Sequence, residues 1–124
     1  FNQADVWMVK DNHKYFFGGL NEAISFFKDV GAFYNNMVVE IHCIDELKTA
    51  LEIGINHVML DNFTPEMIKE AITLKKDGVS FEVSGGLRLD TLSDYIIDGV
   101  DAFSIGALTY GAPHIDLSLK YKRI

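Results

Sequence analysis

Apolar and polar positions alternate along this chain in blocks rather than at random. Five short runs rich in β-branched and apolar residues stand out: DVWMVKDN (5–12), MVVEIH (37–42), NHVMLDN (56–62), SFEVSGG (80–86) and DAFSIGAL (101–108). Each has the length and composition of a buried strand. Between them lie LNEAISFFKDV (20–30), IDELKTALEIG (44–54), TPEMIKEAITLKKDG (64–78) and LDTLSDYIIDG (89–99), whose apolar residues recur at helical spacing. Leu47, Ala50 and Leu51 share one helical face, as do Met67, Ile68, Ala71 and Ile72.

The punctuation agrees with that division. Thr64-Pro65-Glu66 reads as a helix start with Pro in the first turn, Asp45 and Asp90 stand where N-caps are expected, and Gly54, Gly78 and Gly99 follow the last periodic residues as C-terminal glycines do. Strand and helix alternate with a repeat of roughly 22 residues, which implies a parallel sheet covered by helices. The expected fold class is therefore α/β, of the parallel βα-barrel (TIM-like) type, incomplete or open, with five or six strands. The closing IDLSLKYKRI fits either a further strand or a terminal helix.

What stands at the strand ends changes the picture from architecture to chemistry. The carboxyl ends carry Lys10-Asp11-Asn12-His13, then Glu40, then Asp61-Asn62, then Ser84-Gly85-Gly86, then Gly106-Ala107. In parallel α/β folds these ends lie on one side, where such folds build their sites. A single charged strand end is ordinarily a solvated terminus or part of a structural ion pair. Charged residues ending three successive strands, with glycine loops after the next two, point to a site.

The residue types narrow the ligand. Gly85 and Gly86, followed by a helix expected from about Asp90, allow a close backbone approach to an anion with the helix dipole behind it, and Gly106 repeats the opportunity one unit later. Glu40 and Asp61 suit ribose hydroxyls, a hard cation such as Mg²⁺, or positive charge developing at an anomeric carbon. Lys10 suits a carboxylate or a phosphate. The set describes a phosphorylated sugar with an acidic partner. His13 is placed at the mouth of the site, in a substrate-proximal or orienting role. His42, His57 and His114 share no metal-ligand spacing and read as surface or satisfied core residues. Trp7, Phe16, Phe17, Phe26 and Phe27 read as core.

Composition bounds the class. At 124 residues, 48% hydrophobic and 23% charged, with two prolines, the chain is at most one globular domain. Its formal net charge of −7 argues against an extended nucleic-acid surface. No apolar run reaches the length of a membrane span, and FNQADVWMVKDNHK is unlike a signal peptide. The single cysteine, Cys43, cannot close an internal disulfide, reads as a buried structural thiol, and fits a reducing, cytoplasmic setting.

The segments VKDNH, VEIH, VMLDNFTPEMIKEA, FEVSGG, GVDAFSIGALT and APHIDLSLK, in this order, resemble the C-terminal catalytic domain of the quinolinate phosphoribosyltransferase family. The resemblance covers nearly the whole chain. It implies a type II phosphoribosyltransferase of NAD biosynthesis: quinolinate and phosphoribosyl pyrophosphate react with Mg²⁺ to give nicotinate mononucleotide, pyrophosphate and CO₂. By position, it implies that Lys10 contacts a quinolinate carboxylate. Glu40 and Asp61 hold the ribose hydroxyls and the metal-bound phosphoribosyl pyrophosphate, with His13 and Asn62 beside the substrate. Ser84, Gly85, Gly86, Gly106 and Ala107 take the 5-phosphate.

It further implies that residues 1–124 form the C-terminal part of the barrel domain of a longer polypeptide, working as a homodimer or larger homo-oligomer. The family's His-Arg pair shortly before KDNH, its earlier Arg and Lys residues, and its N-terminal α/β domain are not in this chain. Tyr110-Gly111 stands where His-Ser is usual. Two alternatives remain beside the enzyme: a ModD-like or other phosphate-ligand-binding protein of the same fold, and a purely structural α/β unit.

Overall fold

A computed structural model describes residues 6–31, 36–109 and 119–120. Five strands, β1 (Trp7–Val9), β2 (Met37–Ile41), β3 (His57–Asp61), β4 (Ser80–Ser84) and β5 (Ala102–Ser104), form one sheet in sequence order, and every neighbouring pair is parallel. Five helices connect or follow them: α1 (Asp11–Phe17), α2 (Leu20–Val30), α3 (Ile44–Glu52), α4 (Pro65–Leu74) and α5 (Leu92–Tyr95). A 3-10 turn, Gly106–Leu108, follows β5. Parallel strands in sequential order need a crossover between each pair, and because such crossovers share one hand almost without exception, the helices fall on one face of the sheet. The barrel-type α/β architecture expected from the sequence is thus present as an open five-stranded sheet. No helix among the described residues is long and apolar enough to cross a membrane.

The two faces of the sheet differ because side chains alternate along each strand. Val9, Val39, Ile41, Val58, Leu60, Phe81 and Val83 point toward the helices, are essentially inaccessible to water, and pack with Ala23, Ile24, Leu47, Ala50, Ile68 and Ala71 in a single core. Their intervening neighbours, including Glu40, Glu82, Ser84 and Ser104, occupy the opposite, open face.

Several local expectations change in the structure. The segment 5–12 is a strand only to Val9, and DNHKYFF is a helix. Asp11 favours its first turn, Gly18 ends it at φ 93°, and no apolar periodicity announces it. Cys43 is exposed and occupies the N-cap of α3, so it is not a buried thiol, and Asp45 lies inside the first turn of that helix rather than capping it. Thr91, not Asp90, precedes α5. Gly54 follows the Ile53 C-cap of α3 with positive φ, whereas Gly78 and Gly99 sit in turns several residues beyond α4 and α5. Phe16 and Phe26 are about half exposed, and the aromatic cluster around Phe17 and Phe27 lies at the edge of the core rather than within it. IDLSLKYKRI, His114 and Tyr110-Gly111 lie outside the described residues, apart from Leu119 and Lys120.

The ends of β3 and β4 are locked together. Asn62 N–H donates to the Ser84 carbonyl at 2.9 Å, and Asn62 adopts φ 56°, a conformation asparagine tolerates better than most residues. Gly85 and Gly86 follow at φ 85° and 64°. A Cβ on Gly85 would lie 2.5–2.7 Å from Asn62 Oδ1, Cγ and N, whereas one on Gly86 would meet nothing closer than 3.9 Å. The double glycine thus answers to two needs: both positions need a left-handed backbone, and the first must also clear Asn62.

At the other end of the sheet, the Asp101 carboxylate accepts Lys75 Nζ at 2.6 Å and Phe81 N–H at 2.6 Å, fastening the start of β5 to β4 and α4. The bonded Lys75 ammonium holds the Asp101 carboxyl below the usual range, against the opposing effect of burial, and the Phe81 N–H adds to the lowering.

Two outcomes follow for stability. Asp101 has its folded pKa depressed, so its contribution is present above the unfolded value of about 3.9 and is lost as pH falls through the folded value. Urea midpoints measured from neutral pH downward should therefore fall less steeply in Asp101→Asn than in the wild type at the acid end. Gly86→Ala should cost about 1–2 kcal/mol for its left-handed backbone, and Gly85→Ala about 1–3 kcal/mol more for the clash with Asn62. Equal urea unfolding curves for the two variants would show that φ alone governs both positions.

Candidate functional site

The register brings the strand-end residues into two adjacent rows on the open face. Glu40, Met59, Glu82 and Ala102 are successive cross-strand partners, as are Asp61, Ser84 and Ser104. Lys10 and His42 stand one residue beyond β1 and β2 and extend these rows. The sequence-predicted residues Lys10, Glu40 and Asp61 do converge. Lys10 Nζ lies 3.5 Å from Glu40 Oε2. Glu40 is buried, while the Lys10 side chain is about half exposed and free to exchange its partner.

His42 is the residue that sequence reasoning left out of the site. Its Nε2 lies 3.2 Å from Glu40 Oε1 and its Nδ1 3.6 Å from Asp61 Oδ2, so the imidazole spans the two carboxylates. A signal was present in the sequence: two residues past Glu40 on a strand is the same face, one row nearer Asp61. One donor atom each from Glu40, His42 and Asp61 falls within 4.8 Å of the others, a donor set that could hold a metal ion.

His13 bonds to the backbone of Lys10. Its Nδ1 accepts the Lys10 backbone N–H at 3.0 Å, and its ring packs edge-on against Phe27. That bond caps the start of α1 and fixes the backbone from which Lys10 projects. Asn62 donates from Nδ2 to Asp61 Oδ2 at 2.8 Å, which aims one carboxylate oxygen.

Behind the rim sits a clamp that the sequence did not reveal. Lys14 is buried, and its ammonium donates to both Glu46 oxygens at 2.9 Å and to the Glu40 carbonyl at 3.2 Å. Glu46 Oε2 also accepts the His42 backbone N–H at 3.0 Å. α1, the end of β2 and the first turn of α3 are thereby tied to one point. Lysine is rarely buried without a partner, but nothing in the spacing of Lys14 and Glu46 marks them as a pair.

The remaining sequence-predicted residues lie in or beside loop backbone. Ser84 ends β4, Gly85 and Gly86 follow it, and Gly106 and Ala107 open the 3-10 turn beyond β5. A Cβ at Gly106 would meet nothing within 4 Å. The helix expected behind Gly85-Gly86 is only four residues long and starts at Leu92, so it offers little dipole to this loop. One layer below, Glu82 accepts a hydrogen bond from Ser104 Oγ and lies 3.4 Å from His57 Nε2, which makes His57 a satisfied residue as expected.

Comparison with known proteins identifies the family. Residues 1–120 match the family described as Quinolinate phosphoribosyl transferase, C-terminal domain. The chain is 37% identical over 123 residues to the nicotinate-nucleotide pyrophosphorylase (carboxylating) of Dictyostelium discoideum and 38% identical over 123 residues to that of Homo sapiens. Each match takes in 97% of this chain and 41% of the relative. The chain therefore spans well under half the length of these curated relatives. The crystal structure of NadC from Streptococcus pyogenes superposes with a TM-score of 0.81 at 32% identity, over 97% of this chain and 42% of that one. The strand-end motifs, the sheet that arrays them and the match across almost all of its length place this chain in the quinolinate phosphoribosyl transferase C-terminal domain family.

Proposed function

We propose that this chain is the C-terminal part of the barrel domain of an enzyme that transfers the phosphoribosyl group from phosphoribosyl pyrophosphate to quinolinate. The products are nicotinate mononucleotide, pyrophosphate and CO₂, and the step belongs to NAD biosynthesis. The observation that carries the reading is the convergence of Lys10, Glu40 and Asp61 on one rim, beside the Ser84-Gly85-Gly86 loop, in a chain of this family.

The residues divide the work by charge. Lys10 gives up its contact with Glu40 to bind a quinolinate carboxylate. Glu40 and Asp61 accept hydrogen bonds from the ribose hydroxyls. As pyrophosphate departs, positive charge builds at the anomeric carbon, and the two carboxylates stabilise it electrostatically while the pyridine nitrogen attacks. Ser84, Gly85, Gly86, Gly106 and Ala107 hold the 5-phosphate with loop amides and the Ser84 hydroxyl, and His13 and Asn62 keep Lys10 and Asp61 in position.

The acceptor oxygens of Glu40 and Asp61 fit a hard dication, so Mg²⁺ is the proposed cofactor. Bound there, it would supply charge neutralisation to the leaving pyrophosphate. Quinolinate carries two carboxylates, and Lys10 answers one of them. We place the remaining cations in the rest of the polypeptide or in a partner subunit of a homodimer or larger homo-oligomer. The substrates and the acidic surface suit a cytoplasmic enzyme.

The test is release of ¹⁴CO₂ from carboxyl-labelled quinolinate by the full-length protein. Glu40→Gln and Asp61→Asn should each lower kcat by about 10²–10³-fold with circular dichroism unchanged. Wild-type turnover in both variants would overturn the assigned roles. A full-length protein that binds phosphoribosyl pyrophosphate yet releases no CO₂ would replace the enzyme with a phosphate-ligand-binding module.

A further inference from the structure

The proposed reaction gives work to Glu40 and Asp61 but none to the imidazole between them. His42 is held there from two directions. Its backbone N–H is bonded to Glu46, which is itself clamped by buried Lys14, and its two ring nitrogens face Glu40 Oε1 at 3.2 Å and Asp61 Oδ2 at 3.6 Å. Lys14 also holds the Glu40 carbonyl, so the backbone that carries both Glu40 and His42 is fixed before any ligand arrives. The side chain remains accessible, with 37% of its surface exposed.

The donor set has a chemical consequence. Mg²⁺ is hard, prefers oxygen ligands in a near-octahedral shell and keeps several waters. A neutral imidazole nitrogen instead suits the later first-row dications, among them Co²⁺, Ni²⁺ and Zn²⁺. Two carboxylates and one imidazole, with further positions left for water or substrate oxygen, form a mixed nitrogen and oxygen set of the kind found at open catalytic metal sites.

We infer that His42 joins Glu40 and Asp61 as a third ligand, so that this site binds a later first-row dication, such as Co²⁺ or Zn²⁺, more tightly than the Mg²⁺ proposed to support the reaction. The inference rests on the proposed placement of a dication at Glu40 and Asp61, and it assigns the metal preference to a residue outside that pair. The competing role for His42 is that of a counter-ion for the two carboxylates, which would need no metal at all.

The experiment uses the full-length protein stripped with a chelator. Co²⁺ binding is followed by its visible d–d absorption and Mg²⁺ binding by calorimetry, in the wild type and in His42→Gln. The wild type should bind Co²⁺ at least about tenfold more tightly than Mg²⁺; His42→Gln should lose about tenfold or more in Co²⁺ affinity with Mg²⁺ affinity changed less than about twofold. Pulsed electron paramagnetic resonance of Mn²⁺ bound to the wild type should show coupling to a directly bound imidazole nitrogen, a readout that does not depend on any variant folding. Equal Co²⁺ affinities in the two proteins, or Mn²⁺ without nitrogen coupling, would overturn the inference. If that result came with undiminished CO₂ release in Mg²⁺, the proposed reaction would stand without the mixed site. His42-dependent Co²⁺ binding in a protein that releases no CO₂ would leave the metal site standing and remove the reaction.

Discussion

The parallel register of the sheet is the constraint on which the rest of this structure depends. Because every strand runs the same way and pairs with the next in sequence, alternate residues of each strand fall into continuous rows. One set of rows is Val, Ile, Leu and Phe and is sealed under helices; the other carries Glu40, Glu82, Asp61 and the serines. A slip of one residue in any strand would exchange the sets, burying carboxylates in the core and exposing Phe81 or Leu60 to water. At about 1.5–3 kcal/mol for each large apolar side chain buried, the core itself enforces the register that lines up the site. Stability and site geometry are thus set by one physical choice rather than two.

Much of this was legible because it depends on local periodicity. The five strands and the helices α2, α3 and α4 are announced by apolar spacing, and the strand ends follow once the strands are placed. Lys10, Glu40 and Asp61 were readable for that reason alone. What escaped depends on contacts that spacing does not encode. α1 has a mixed aromatic and charged sequence, and it is held by Lys14 reaching Glu46, 32 residues away. Cys43 looked like a strand residue because the end of β2 continues smoothly into the cap of α3. Phe16 and Phe26 looked like core because aromatic content does not say which side of an edge helix they occupy. The double glycine suggested a ligand, yet its firmest structural reason is the close approach of Gly85 to Asn62.

His42 shows a different limit. Residue type and spacing could place it on the site face, but the absence of any familiar ligand spacing argued it away. Metal and ligand sites on a sheet are assembled across strands, so neighbours in a site are separated by a whole repeat in sequence: His42 and Asp61 are neighbours in one row on adjacent strands, with a helix between them in sequence. A search for short motifs sees such a set only after the strands have been aligned.

The site is also paired before any ligand binds, and that sets how it can work. Lys10 rests on Glu40, His42 on both carboxylates, Asn62 on Asp61, and Ser104 and His57 on Glu82. Among the described residues, no buried side-chain nitrogen or oxygen lacks a partner. A bare buried carboxylate would be costly to maintain, since desolvating an unpaired charge costs several kcal/mol. An incoming ligand therefore does not meet waiting charges; it exchanges with internal partners of the same sign as itself. In the proposed reaction a dication replaces the Lys10 ammonium at Glu40, and the released lysine is then available to an anion at the same rim. The half-exposed side chain of Lys10 permits that exchange, whereas the buried Lys14 behind it cannot take part. One lysine is mobile enough to serve the ligand because the other is fixed enough to hold the strand end in place.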